Sequence, residues 1–261
     1  MLLLLPCSLT AQTDSVQKPL SIIPTIVESF TADPFGNIYL TYTTGQIKKL
    51  NEKGDSLGVF NLSRKYGVPE KVDASYPLKI IFYYPPYSTL MVGDRFFNLL
   101  NTIDLRKNSL FQVKAVAPAY DGDYWVYDQQ DAKLVKINDA GKITLQTAGF
   151  RQLFDDVPNP VTIIDHTGLV YLYDPEKGVY IFDYFGTFKT HIPLLHWTDV
   201  HAFNKTIYGL HNGQLMSHTL NQPLSMAAPL PIGMKEVKKM VITPNRLYLL
   251  NGGNIYIFPV H

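Results

Sequence analysis

Between Asn159 and Leu194, apolar and polar positions come in blocks. Val161–Ile164, Leu169–Tyr173, Val179–Asp183 and Phe188–Leu194 are rich in Val, Ile, Tyr and Phe. Between them stand Asp165-His-Thr-Gly168, Asp174-Pro-Glu-Lys-Gly178 and Tyr184-Phe-Gly186-Thr. β-Branched and aromatic runs punctuated by Gly, Pro and Asp predict short strands joined by tight turns. One such meander has two apolar faces and nothing to bury them against. The pattern therefore demands copies of itself.

The chain supplies them. In Glu28–Asn61 the order recurs: the turn Asp33-Pro-Phe-Gly36-Asn37, then Ile38–Thr43, Gly45, Gln46–Asn51, Gly54 and Asp55–Phe60. Val113–Gly149 repeats it with Asp121-Gly-Asp123, Tyr124–Tyr127, Leu134–Asn138, the hairpin turn Asp139-Ala-Gly141 and Lys142–Thr147. Weaker copies are Lys79–Val113, Val200–Pro231 and Val237–Val260. A period of about 40 residues with four strands per unit predicts an all-β fold, a six-bladed β-propeller of four-stranded antiparallel blades. The last unit holds only three strands, and a spare apolar segment, Pro19–Ile26, precedes the first. The N-terminal strand is thus expected to complete the last blade and close the ring, which removes an open edge. A β-sandwich or a pair of them is the alternative, but it requires no such period.

Asp33–Tyr39 reads D-x-x-G-N-I-Y, and Asp165–Tyr171 reads D-x-x-G-x-V-Y. Both resemble the blade motif of six-bladed propellers of the NHL, TolB-like and gluconolactonase-like kind, here as an exported bacterial protein. The resemblance spans most of the chain. Blade two departs from it with Tyr83-Tyr-Pro-Pro86, and blades five and six carry Asn204 and Asn245 where Asp is expected. Such propellers host enzymes, receptors and scaffolds, so the resemblance implies architecture more than activity. It also implies that the first strand of each blade lines a central channel, and that the loops entering those strands form a binding face.

Composition adds limits. The chain has 261 residues, 46% hydrophobic, 13% aromatic and 17% charged, which suits packed sheets and argues against disorder. A formal net charge of +1 provides no global field to recruit nucleic acid or an anionic membrane. Residues 1–12, MLLLLPCSLTAQ, resemble the end of a secretory signal peptide, although no basic residue precedes the short leucine run. Residues 13–261 are then one propeller domain, exported to the periplasm or cell envelope of a Gram-negative bacterium, with no transmembrane segment. Cys7 is the sole cysteine, and it follows Pro6 rather than the small residue of a lipidation signal. Cleavage near Ala11 or Gln12 leaves no thiol for a disulfide or a metal.

The chemistry is expected in the entry loops, chiefly Ser63–Pro77, Gly149–Pro160 and Leu194–Asp199. Arg64, Tyr66, Tyr76, Arg151, Phe154, His196 and Trp197 are aromatic, histidine and arginine anchors of the kind found at a protein, peptide or glycan interface. The competing reading is that Phe154 and Trp197 plug gaps between blades. The expected function is a non-catalytic binding or scaffold module without a cofactor, associated with an outer-membrane or envelope complex. The alternative, implied by the lactonase-like resemblance, is a hydrolase with calcium or zinc in the channel, held by Glu28 with Asp155, Asp156 or Asp199. Histidines cluster from His191 to His218 without metal-ligand spacing, and no phosphate loop or nucleophile elbow stands out. The Asp-x-x-Gly turns read as structural, with Asp capping its own turn.

Overall fold

A computed structural model describes residues 18–76, 78–231, 234 and 236–260. Residues 1–12, expected from the sequence to be a signal peptide and including Cys7, lie outside the described residues. The described strands form six four-stranded antiparallel sheets, and one end strand of each lines the central cavity. Blade one is Ser29–Ala32, Ile38–Thr41, Ile47–Leu50 and Ser56–Phe60. Blade three is Val113–Pro118, Tyr124–Asp128, Lys133–Ile137 and Ile143–Gln146. Blade four is Thr162–His166, Leu169–Asp174, Gly178–Asp183 and Phe188–Ile192. Blade five is Thr198–Phe203, Thr206–His211, Gln214–Thr219 and Met226–Pro229.

Blade six takes Lys239–Thr243, Arg246–Asn251 and Asn254–Pro259 from the C-terminal end, and Ser21–Pro24 from the N-terminal end as its outer strand. Ser21 faces Ile257 and Pro24 faces Asn254 in antiparallel register. Thr25 N–H extends the seam by donating to Gly253 O at 2.8 Å. The expected ring closure is the observed one.

Blade two needs a correction. Its inner strand is Lys71–Asp73, followed by Ile80–Tyr84, Thr89–Gly93 and Leu99–Asp104. The sequence pattern had started the blade one strand late, at Lys79, and treated Ser63–Pro77 as a single loop. That stretch in fact holds a helical turn, Ser63–Tyr66, and the inner strand. Lys-Val-Asp carries no apolar run because all three residues are half-buried at the channel.

Each blade stacks on its neighbours, so its middle strands are covered on both faces. Tyr124–Asp128 and Ile80–Tyr84 are buried at every position, whereas the outer strand Met226–Pro229 is exposed at every position. Double coverage explains why the middle strands read as unbroken apolar runs. The core divides into six clusters, one between each pair of adjacent blades. Between blades three and four, for example, Trp125, Phe150, Val170 and Phe182 pack together, with Phe150 and Phe182 stacked at 5.2 Å. No described helix is long and apolar enough to cross a membrane.

Candidate functional site in the central channel

All six inner strands run in the same direction along the axis, so their starts gather at one mouth and their ends at the other. They line a cavity of about 1020 Å³. At the entry mouth the residue leading into each strand holds a repeated position. Backbone N–H of Glu28, Glu70, Val161 and Lys238 each donates to the second strand of its own blade, to Thr41, Tyr83, Tyr173 and Leu250 respectively. Glu28, Glu70, Lys114 and Lys238 are exposed on this rim. Lys238 Nζ donates to the carbonyl of Val27, at 3.4 Å. Among the described residues, neither Glu28, Glu70 nor Lys114 forms an ion pair.

Below the rim lies a second tier that is internally paired. Lys71 Nζ sits 3.2 Å from Asp73 and donates to Val116 O at 3.0 Å, tying blade two to blade three. Asp199 accepts from Met240 N–H at 2.7 Å and from Lys239 Nζ at 3.3 Å, tying blade five to blade six. His201 Nε2 lies 3.3 Å from Met240 O. Burial pushes the Asp73 carboxyl up, but the Lys71 ammonium and the Ser75 hydrogen bonds outweigh it and hold it below the usual range. Burial drives His201 down, and Lys239 adds to that. The Met240 carbonyl and the Asp199 and Asp73 carboxylates oppose without reversing it.

Burial also lowers His166 and His218. A histidine depressed in the fold takes up its proton more readily when unfolded. Its contribution is therefore present in full above the unfolded pKa of about 6.5 and is lost as pH falls from there through the lower folded pKa. The melting temperature is expected to drop between about pH 7 and pH 5, and His201→Gln to shrink the drop. Thermal melts of both proteins across that range check it.

At the far mouth the sequence reading of Asp165 also changes. Asp33 does cap its own turn, accepting from Phe35 and Asn37 N–H, both at 2.9 Å. Asp165 instead lies within a strand and reaches across blades, accepting from Trp125 Nε1 at 2.8 Å and Tyr120 N–H at 3.2 Å. The turn that follows is made by Thr167 and Gly168, both at positive φ.

The predicted interface residues separate. Arg64, Tyr66, Arg151, Phe154, His196 and Trp197 precede inner strands, on the entry side; Tyr76 follows one and lines the cavity at the opposite end. Trp197 is 5% exposed and packs in the core between blades four and five, with its carbonyl accepting from Tyr173 Oη at 2.5 Å. Phe154 packs edge-on against Phe150, Tyr180 and Phe188. Both side chains fill space between blades. Tyr66 is half-buried against Tyr84 and Tyr87. Arg64, Arg151 and His196 stay exposed, with Arg151 donating to Gln130 O at 2.9 Å and His196 lying 3.6 Å from Glu176.

The candidate metal ligands do not converge. Glu28 and Asp199 line the channel, but Asp155 and Asp156 sit outside it, with Asp156 paired to Lys177. Asp199 is already engaged by Lys239 and Met240. Among the described residues no three His, Cys, Asp or Glu side chains form a group able to hold a metal ion. The sequence reading missed Glu70, Lys71, Asp73, Lys114 and Lys238. Locating the inner strand of blade two and aligning the strand starts blade by blade would have found them.

No protein-family profile and no curated protein matches this sequence. Solved structures do share its fold. The WD40 domain of Neurospora crassa Pan2 is 12% identical, with a TM-score of 0.63 over 95% of this chain and 96% of that one. A streptogramin B lyase is 12% identical, with a TM-score of 0.61 over 94% of this chain and 86% of that one. A chain of the mitotic checkpoint complex is 10% identical, with a TM-score of 0.58 over 99% and 97%. At these identities the likeness concerns the fold.

Proposed function

We propose that this protein is a binding or scaffold module of the NHL or TolB-like kind, exported to the bacterial envelope, that holds a protein or peptide segment over the entry mouth of its channel. The shared fold serves a lyase in one relative and a multi-protein assembly in another, so the fold itself does not choose between them. The rim carries the reading. Glu28 and Glu70 form an acidic arc on blades one and two, and Lys114 and Lys238 flank it on blades three and six. Groups kept exposed and largely unpaired at the opening of a cavity are available to a ligand at no cost in broken internal contacts. A dipolar partner, with its cations toward Glu28 and Glu70 and its carboxylates toward Lys114 and Lys238, complements that layout. Arg64, Arg151 and His196 on the surrounding loops extend the same face.

The test is charge reversal. The Glu28→Lys, Glu70→Lys double variant alters only exposed side chains and is expected to fold normally. It should recover partners from envelope extracts at least about tenfold less well than the wild type, as quantified by mass spectrometry of the pull-down. A folded double variant that recovers the same proteins in the same amounts would overturn the reading.

A further inference from the structure

A second cavity, of about 630 Å³, shares no lining residue with the channel. It is a groove along the outer strand of blade two, Leu99–Asp104, and the helical turn that follows, Leu105–Asn108. At one end Asn101 Nδ2 donates to Asp139 O, in the last turn of blade three. At the other end Asp104 pairs with Thr89, beside Tyr87. Four strand residues separate those ends, a length of about 10 Å.

Both carboxylates on the wall are already matched. Lys79 Nζ donates to each oxygen of Asp139 at 2.9 Å, and Tyr124 Oη adds a third bond at 2.6 Å. Asp104 accepts from Arg106 N–H at 3.1 Å and Arg106 Nε at 3.3 Å. The other cations are not matched. Lys107 lines the groove, and Lys65 lies over the Tyr66 ring, 4.9 Å from its centroid. Both are exposed, and neither has a carboxylate within ion-pair range among the described residues. Four neutral groups are free as well. Tyr66 Oη, Tyr87 Oη, Thr102 Oγ1 and the Asn108 amide hydrogen-bond to no described residue.

We propose that this groove binds an acidic oligosaccharide, one that carries uronic acid residues. Tyr87 is 43% exposed, and Tyr66 meets it at 81° rather than stacked over it. Tyr87 thus keeps ring surface for the apolar side of a sugar. Four free neutral groups against two unmatched ammoniums suit a ligand with many hydroxyls and few charges. Lys107 stands next to Arg106, whose terminal nitrogens make no hydrogen bond to a described residue. Together they supply charge-assisted donors for a uronate carboxylate. An added peptide strand fits poorly, because it needs open backbone groups on this edge. Thr102 N–H is taken by Asn101 Oδ1 at 2.8 Å.

Titration calorimetry with oligogalacturonate tests the groove, with a malto-oligosaccharide as the neutral probe. The wild type is expected to bind the first in preference to the second, and less tightly as salt rises. Tyr87→Ala should weaken oligogalacturonate binding at least about tenfold. Lys107→Gln should weaken it about fivefold with an unchanged melting temperature, since that side chain is exposed. A wild type that binds no oligogalacturonate, or binds the neutral probe equally well, overturns the proposal. So do Tyr87→Ala and Lys107→Gln variants that both bind like the wild type. Equal affinity for inorganic sulfate overturns it in favour of a plain anion site, and equal affinity for AMP in favour of a nucleotide site.

Discussion

Removal of residues 18–24 is expected to abolish the stable monomeric ring. Ser21–Pro24 is the outer strand of the sixth blade, paired along its length with Asn254–Pro259. Its Ile23 is 5% exposed and packs with Val27, Leu250, Ile255 and Ile257 in the cluster between blades six and one. Truncation strips the ladder from Asn254–Pro259 and leaves an unpaired apolar edge, the template for edge-to-edge association. Ile23→Ala alone should cost about 3 kcal/mol from lost burial and the cavity left behind. For a chain of this size that lowers the melting temperature by roughly 6–12 °C. The truncated chain should do worse, emerging from size exclusion as aggregate or oligomer. A synthetic peptide of residues 18–26 supplied in trans should restore monomer. A truncated protein that stays monomeric and melts within a few degrees of the full chain would show that the seam is not what closes the ring.

That seam was legible in the sequence for a simple reason. A unit short of one strand at one end and a spare strand at the other are both counting observations, and counting survives uncertainty about boundaries. The blade period was equally visible in blades one, three and four, where middle strands such as Tyr124–Asp128 are covered on both faces and therefore apolar throughout. The inner strand of blade two escaped because its side chains face the channel. Lys71 and Asp73 neutralise each other there, and only three residues pair. The site was hidden for the same reason. The polar channel residues are spread over several blades and are brought together by ring closure rather than by any local spacing. Aromatic content alone did not separate loop anchors from rings that fill gaps between blades. Trp197 and Phe154 sit in loops by sequence, yet the loop in each case dives between blades, burying the Trp197 ring and partly burying that of Phe154. Two of the most exposed rings, Phe35 and Phe185, stand at Asp-pinned turns, where the sequence offered them only as turn residues.

Gly178→Ala is expected to be among the most damaging single-methyl changes in the chain, and Gly168→Ala one of the mildest at a comparable backbone angle. Gly178 opens the third strand of blade four at φ +96°, and Gly168 closes the preceding turn at φ +78°. Both positions penalise an L side chain, by about 1–2 kcal/mol in the left-handed region. They differ in their surroundings. A Cβ on Gly168 meets nothing within 4 Å, whereas one on Gly178 falls 2.3 Å from Ile192 O, 2.7 Å from Leu194 N and 2.8 Å from Pro193 Cα. All three are backbone atoms, so no side chain is free to swing aside. The segment they belong to is itself held, since His196 N–H donates to Pro175 O at 2.7 Å and Trp197 anchors the core just beyond. Relief therefore requires moving the loop that enters blade five. We expect Gly168→Ala to cost about 1 kcal/mol and Gly178→Ala at least about 4 kcal/mol, measured by urea unfolding of the two variants side by side. Equal losses would mean that backbone angle alone sets the penalty and that the Ile192–Leu194 segment yields freely. The loop carrying His196 would then be a moving part of the entry face rather than a fixed one.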